Sequence, residues 1–438
     1  MPAIDWSRVH AEALDIFVRY LRIDTSNPPG NEKPGARFLG ALLEAEGVAC
    51  EYVETQPNRE ILIARLAGDG TKRPLMLCNH TDVVPVEPRY WTVPAFEGVV
   101  RDGRVYGRGA VDMKGMAVMQ LMAFVLAVRQ GLRLARDLVF CAVPDEEALG
   151  RWGMRWLCEH RPDVVDVEYE LNEGGSGSDE FQGQSKRVFA VATNEKQVCW
   201  LRLTAVGTPG HGSFPHPSDS NSAVRLARAV QRLAEWQRPL IYTPETTAYV
   251  ERLADAGLLP PMRERGALES AIRGSRPLLA MFMNTLNVTM LHSGIKANVI
   301  PGRSEAVIDC RLLPGQSRDE WRAAVIERLG DPDVTVEFHE DLDPSEPVPV
   351  AWDTELYRVI ESVIHDVIED AVVVPGMTVG GTDNRFLRQR GIPAYGFAPC
   401  ILSSEERAGF HGNDEYLTVD NLNLGCELTY EIVRRMCT

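Results

Sequence analysis

The apolar positions of this chain follow two regimes. Toward both ends, continuous apolar runs of strand length alternate with stretches of helical periodicity, whereas near the middle apolar and polar residues alternate one by one. Continuous runs mark strands buried on both faces, and strict alternation marks a half-exposed antiparallel strand. Helical spacing predicts helices over residues 1–20, 36–46 and 116–128. Strands are expected over 49–53 and 61–66, and fully buried strands over 74–84, 137–143 and 167–171. The alternating stretch 198–206 opens a second region: a helix over 222–237, strands over 286–291 and 306–311, a helix over 318–329 and a strand over 334–339. That order reads as a sheet covered on one side by two helices. Residues 242–274 read as extra helical material broken at Pro260-Pro261, with no assigned role, and 344–349 as a hinge. A helix over 353–369, a strand over 394–397 and a C-terminal helix then restore the first pattern. The expected fold is α/β: a mostly parallel sheet between helices, built from residues 1–196 and 347–438, with an α+β domain inserted over 197–346.

The buried runs end in polar residues of a particular kind. The first reaches His80-Thr81-Asp82, the second Asp145-Glu146-Glu147, the third Asn172-Glu173. Ligands of open α/β sheets gather at such strand ends. In extended backbone His80 and Asp82 point the same way, so Asp82 is placed to accept a hydrogen bond from the second ring nitrogen of a ligating His80. Asp112, between glycines in Gly107-Arg108-Gly109-Ala110-Val111-Asp112-Met113-Lys114-Gly115, is a candidate bridge. One carboxylate can bind two cations about 3.5–4 Å apart, the spacing of two-metal hydrolysis. Of two adjacent glutamates near such a pair, one can bind a cation while the other acts as general base. The bland readings are a helix-capping Asp112, a surface His80 and a solvated acidic loop.

Composition narrows the field. A formal net charge of -16 argues against nucleic acid or an anionic membrane as the main partner. Residues 1–20 are amphipathic and carry acids rather than the basic-then-apolar order of a signal peptide, and no apolar stretch is expected to reach the length a bilayer requires. The nine cysteines are scattered singly, which favours reduced thiols in a cytoplasm and leaves any metal to His and carboxylates.

With these stretches assembled, the sequence resembles the cocatalytic zinc family that includes aminoacylase, acetylornithine deacetylase, succinyl-diaminopimelate desuccinylase and carboxypeptidase G. The motifs fall in order along nearly the whole chain: residues 79–85, 107–115, 145–147, 172–174 and 411–415. The resemblance implies a zinc-exopeptidase-like catalytic domain with an inserted lid and dimerisation domain. It makes Asp112 the bridge between two zinc ions, His80 and Glu173 the ligands of one, and Glu147 and His411 those of the other. Glu146 would be the general base, Asp82 the partner of His80, and the bond after Asp112 cis. Cobalt or manganese would also suit nitrogen and oxygen ligands. The resemblance further implies that His211 stabilises the oxyanion in the partner subunit's site, that Arg385 grips a substrate α-carboxylate, and that Asn298 makes a polar contact from the lid. The expected function is hydrolysis of N-acyl amino acids, or of peptides with a free carboxyl end, by a homodimer acting on small molecules. A dipeptidase or carboxypeptidase, and a binding protein that has lost the reaction, are the alternatives.

Overall fold

The computed structural model describes residues 3–340, 342 and 348–438. Its larger sheet has eight strands, in the order Cys50–Gln56, Arg59–Leu66, Leu138–Val143, Leu75–His80, Tyr169–Phe181, Ala394–Ile401, Gln184–Glu195, Val372–Thr378. The central strand Leu75–His80 runs parallel to both neighbours, and Ala394–Ile401 runs parallel to Tyr169–Phe181. The first of these is buried at every residue, as a strand covered on both faces must be. Helices Trp6–Leu21, Gly115–Arg129, Glu355–Val367 and Val419–Cys437 close one face through the main hydrophobic core. Met154–His160 and Asn384–Arg388 close the other through Met154, Leu157, Phe386 and Leu387.

The segment Ala110–Arg129 corrects one expectation, since by length and composition it could cross a membrane. It is instead almost wholly buried, and it packs against the C-terminal helix and the central strands. A helix apolar all round belongs in such a core.

The smaller sheet is antiparallel, in the order Thr285–Ser293, Arg303–Leu312, Gln197–Val206, Val334–Phe338. Helices Ser222–Ala234 and Arg318–Leu329 cover one face, burying Leu226, Leu233, Trp321 and Val325 against the alternate residues Cys199, Leu201 and Leu203. The two expected sheets are therefore both present.

Three features depart from the sequence expectation. The strand expected to stop at residue 171 continues to Phe181 and turns into Gln184–Glu195 as a hairpin. The edge strand Val372–Thr378 was not foreseen; its Pro375 is tolerated because an edge strand has one unpaired side. The extra helical material forms Pro244–Asp255, Arg265–Gly274 and Arg276–Phe282, which pack on Val188 and Val374 of the larger sheet. Residues 344–347 of the expected hinge lie outside the described residues.

Candidate metal centre

The site forms where the strands of the larger sheet end and diverge. His80 is the last residue of its strand, with a side chain only 1% exposed. Its strand pairs with Tyr169–Phe181 only through Leu171. Beyond that point the longer strand bulges: Gly396 pairs with Asn172 and Ala398 with Ser176, so two extra residues loop out around Glu173. Such bulges re-aim a side chain, and here the result leaves Glu173 Oε1 3.8 Å from His80 Nε2.

Asp112 enters from the glycine-flanked turn. Gly109 has φ +85°, and a Cβ there would come within 2.6 Å of Val83 Cγ1, so only glycine fits. The Asp112-Met113 bond is cis. Asp112 Oδ1 lies 3.1 Å from His80 Nε2, and its Oδ2 lies 3.2 Å from His411 Nε2. Glu147 Oε2 lies 3.2 Å from the same His411 nitrogen. Two triads result, His80-Asp112-Glu173 and Asp112-Glu147-His411, each with donor atoms within 4.8 Å of one another and sharing Asp112.

The second ring nitrogen of His80 is also engaged. Nδ1 is 3.0 Å from the main-chain oxygen of Asp82 and 3.6 Å from its carboxylate. The carboxylate instead accepts the N–H groups of Glu146 and Glu147 at 3.1 and 3.0 Å and the Asn27 amide at 2.9 Å. Asp82 thus ties the orientation of His80 to the position of the two glutamates.

The donor set asks for positive charge. Burial first, then the neighbouring carboxylates, pushes Glu146, Glu147 and Glu173 above the usual carboxylate range. Asp112 goes the other way: burial opposes its ionisation, but hydrogen bonds from His411 and His80 hold it well below that range. His411, beside Asp112 and Glu147, is raised to about 10. The buried Glu147 Oε1 has no hydrogen-bond partner among the described residues. Imidazole and carboxylate without thiolate, crowded around one shared aspartate, fit a pair of divalent cations.

Glu415 closes the last of the sequence motifs, which assigns it no role. Fully buried, it accepts hydrogen bonds from the main chain at Gly109, Val111 and Asp112 and from Arg108 Nη1, at 2.7 to 3.1 Å. Arg108 also donates to the Gly412 oxygen at 2.7 Å, so the pair clamps the Asp112 turn to the His411 loop. An acid four residues beyond His411 was the available signal.

Two cavities meet at the cluster, sharing Glu146, Glu147, Gly380, Gly381 and His411. One, of about 280 Å³, lies between the two sheets and is lined by Arg385, Lys196, Arg311, Arg318 and Trp200. Arg385 donates to the Thr382 and Leu149 carbonyls, which fixes its guanidinium at that wall. The other, of about 440 Å³, is walled by Val111, Met113, Met116, Leu402 and Phe410. The lid-side Arg311, Arg318 and Trp200, and Lys196 at the junction, were missed because only tertiary structure brings them to the cluster. His211 and Asn298 line neither cavity; both are exposed, His211 ending strand Gly210–His211 and Asn298 in the turn just before its partner strand Val299–Ile300, with Gly212 N donating to the Asn298 oxygen.

This fold, with this donor set at its strand ends, is that of a metal-dependent hydrolase acting on amide bonds. The chain matches Peptidase family M20/M25/M40 over residues 76–435 and belongs to that family. It is 30% identical over 387 residues to the N-fatty-acyl-amino acid synthase/hydrolase PM20D1 of Xenopus tropicalis, covering 84% of this chain and 74% of that protein. It is 28% identical over 411 residues to Aminoacylase-1 of Sus scrofa, covering 92% and 90%. Among solved structures, the M20 family metallo-carboxypeptidase Sso-CP2 from Sulfolobus solfataricus superposes with a TM-score of 0.73 at 17% identity, covering 97% of this chain and 98% of that one. That likeness speaks for the fold alone.

Proposed function

We propose that the protein is a dinuclear zinc hydrolase of N-acyl amino acids. The observation that carries this reading is the contrast between the two cavities that meet at Glu146. An N-acyl amino acid has a carboxylate pole and an apolar pole on either side of one amide. The cavity at Arg385 suits the carboxylate, because a planar guanidinium pairs with it bidentately. The cavity walled by Met113, Met116, Leu402 and Phe410 suits the acyl group.

His80, Asp112 and Glu173 would hold one ion, and Asp112, Glu147 and His411 the other. Such ions supply a water of lowered pKa and polarise the amide carbonyl. Glu146 takes the proton of the attacking water and returns it to the departing nitrogen. Asp82 keeps Glu146 and His80 in register. Arg385 orients the substrate.

The developing oxyanion needs a further donor, which we assign to the partner subunit's His211 in a homodimer. Two features support that assembly. His211 lines neither cavity of its own chain, and the edge strand Thr285–Ser293 leaves Met290 and Leu291 exposed beside Ile295. Asn298, next to His211, would reach the substrate from the same side. The nine free cysteines support a reducing, cytoplasmic setting.

A dipeptidase is the nearer rival, and the apolar cavity disfavours it. Among the described residues the only acids lining that cavity belong to the metal cluster, which leaves none there to pair with a free amino terminus. Comparing each N-acyl amino acid with the matching dipeptide on zinc-loaded protein tests the reading. Acyl substrates should be cleaved with the higher kcat/KM, and a preference for dipeptides refutes it.

A further inference from the structure

We infer that Arg407 selects the far end of the acyl group, so that the preferred substrates carry a second carboxylate there, as half-amides of dicarboxylic acids. This rests on the acyl-hydrolase reading above and deepens it.

The apolar cavity follows the strand Tyr169–Phe181 away from the cluster, through Glu173, Gly174, Gly175 and Ser176. Arg407 stands at the next residue of that path, where its Nη2 donates to the Gly177 oxygen at 2.6 Å. Four residues of strand separate Gly177 from Glu173, a span of about 13 Å at most. The guanidinium therefore closes the lobe at the end remote from the reacting amide.

Among the described residues no carboxylate lies within ion-pair distance of Arg407; Glu406 and Asp179, the latter two residues beyond Gly177 on the same strand, act on it only from farther away. Its chain neighbour Glu406 is committed elsewhere. That carboxylate accepts from Ser403 N and Oγ, from Thr418 N and from the Asn421 amide, at 2.9 to 3.2 Å, and so caps helix Ser404–Ala408. The capping engages that acid and leaves Arg407 as the cation of a lobe whose apolar wall is Val111, Met113, Met116, Ala398, Leu402 and Phe410. Among the described residues, apart from the cluster's own His411, no other cationic side chain lines that lobe. A simple alkyl chain would leave this guanidinium with one hydrogen bond, to the Gly177 oxygen, and only longer-range acids, whereas a terminal carboxylate would engage its remaining donors.

The test uses the zinc-loaded full chain and pairs of N-acyl amino acids of equal acyl length, one ending in methyl and one in carboxylate, over a graded series. At the length that spans the lobe, the carboxylate-ended member should have the higher kcat/KM by ~10-fold or more, the size of a hydrogen bond to a charged group. R407M should invert that preference, and R407K should keep part of it. Equal or better cleavage of the methyl-ended member at every length, or a preference that R407M leaves intact, overturns the inference.

Calorimetry separates this outcome from failure of the hydrolase reading. Free dicarboxylic acids should bind wild type more tightly than monocarboxylic acids of the same length, and R407M should lose the difference. If no substrate is cleaved, the proposed function falls while this binding comparison still decides the role of Arg407. Equal binding of both acids counts against it.

Discussion

The two triads share Asp112 yet sit in different surroundings. His80, 1% exposed, belongs to a strand buried at every residue, and Glu173 is set by a bulge in its neighbour. His411, 57% exposed, stands on a loop at positive φ, held to the rest of the site by the Arg108 and Glu415 clamp. One half of the centre is thus part of the core, and the other is attached to it. The inner half should bind its ion as a property of the folded sheet, and the outer half should exchange its ion more readily.

The most damaging change removes what the halves share. Asp112→Ala should abolish binding of both ions and reduce turnover by orders of magnitude, read from metal content and initial rates; retention of either ion would show that the triads are independent. Glu146→Gln touches neither triad. It should leave metal content unchanged while kcat falls ~10²–10⁴-fold, the usual contribution of a general base.

A sharper cut compares the two histidines. His411→Ala should lose one ion and leave stability nearly unchanged. His80→Ala should also lose an ion but destabilise the fold by ~1–3 kcal/mol in urea titrations, since it opens a cavity in the core. Equal destabilisation by the two would mean that both halves are equally part of the core. Arg385→Lys should raise KM ~10–100-fold with little change in kcat, because an ammonium cannot reproduce the bidentate grip.

The smallest effect lies beneath the inner triad. Glu170, on the Glu173 strand, is fully buried, and burial raises its pKa to about 8. A carboxyl whose folded pKa exceeds its unfolded value near 4.5 binds more protons when folded. The stability it contributes is complete below about 4.5 and is lost as pH rises through about 8. Glu170→Gln should flatten that decline in melting temperature across this window, whereas an unchanged slope would place the decline elsewhere.

The inner half was also the more legible in sequence. Continuous apolar runs ending at His80 and at Asn172-Glu173 announced strand ends, because a parallel strand buried on both faces leaves no polar alternation to confuse the reading. The bulge at Glu173 was invisible: the strand was expected to end at Leu171, yet it continues past Gly174, Gly175 and Ser176 because the hairpin partner Gln184–Glu195 and Ala394–Ile401 both pair with it. Strand Val372–Thr378 was hidden by Pro375 and Gly376, which local propensity counts against a strand and an edge position tolerates. The cations that line the Arg385 cavity were unreadable for a different reason. Arg311 and Arg318 come from the smaller sheet and the helix that covers it, and no local pattern says which face of that sheet meets the cluster.

Between Gln184–Glu195 and Gln197–Val206 there is a single residue, Lys196, so the chain passes from one sheet into the other without a loop. The Lys196 ammonium is tied to the carbonyl oxygens of Ala280 and Met283 and to the Thr285 hydroxyl, in the helical segment that leans on the larger sheet and at the start of the smaller sheet's edge strand. Widening the gap at this crossing requires flexing a strand against three anchored contacts, a stiff joint rather than a slack tether. The residue at this crossing also lines the chamber where the substrate's acid group would rest, so the same side chain stiffens the joint and walls the cavity.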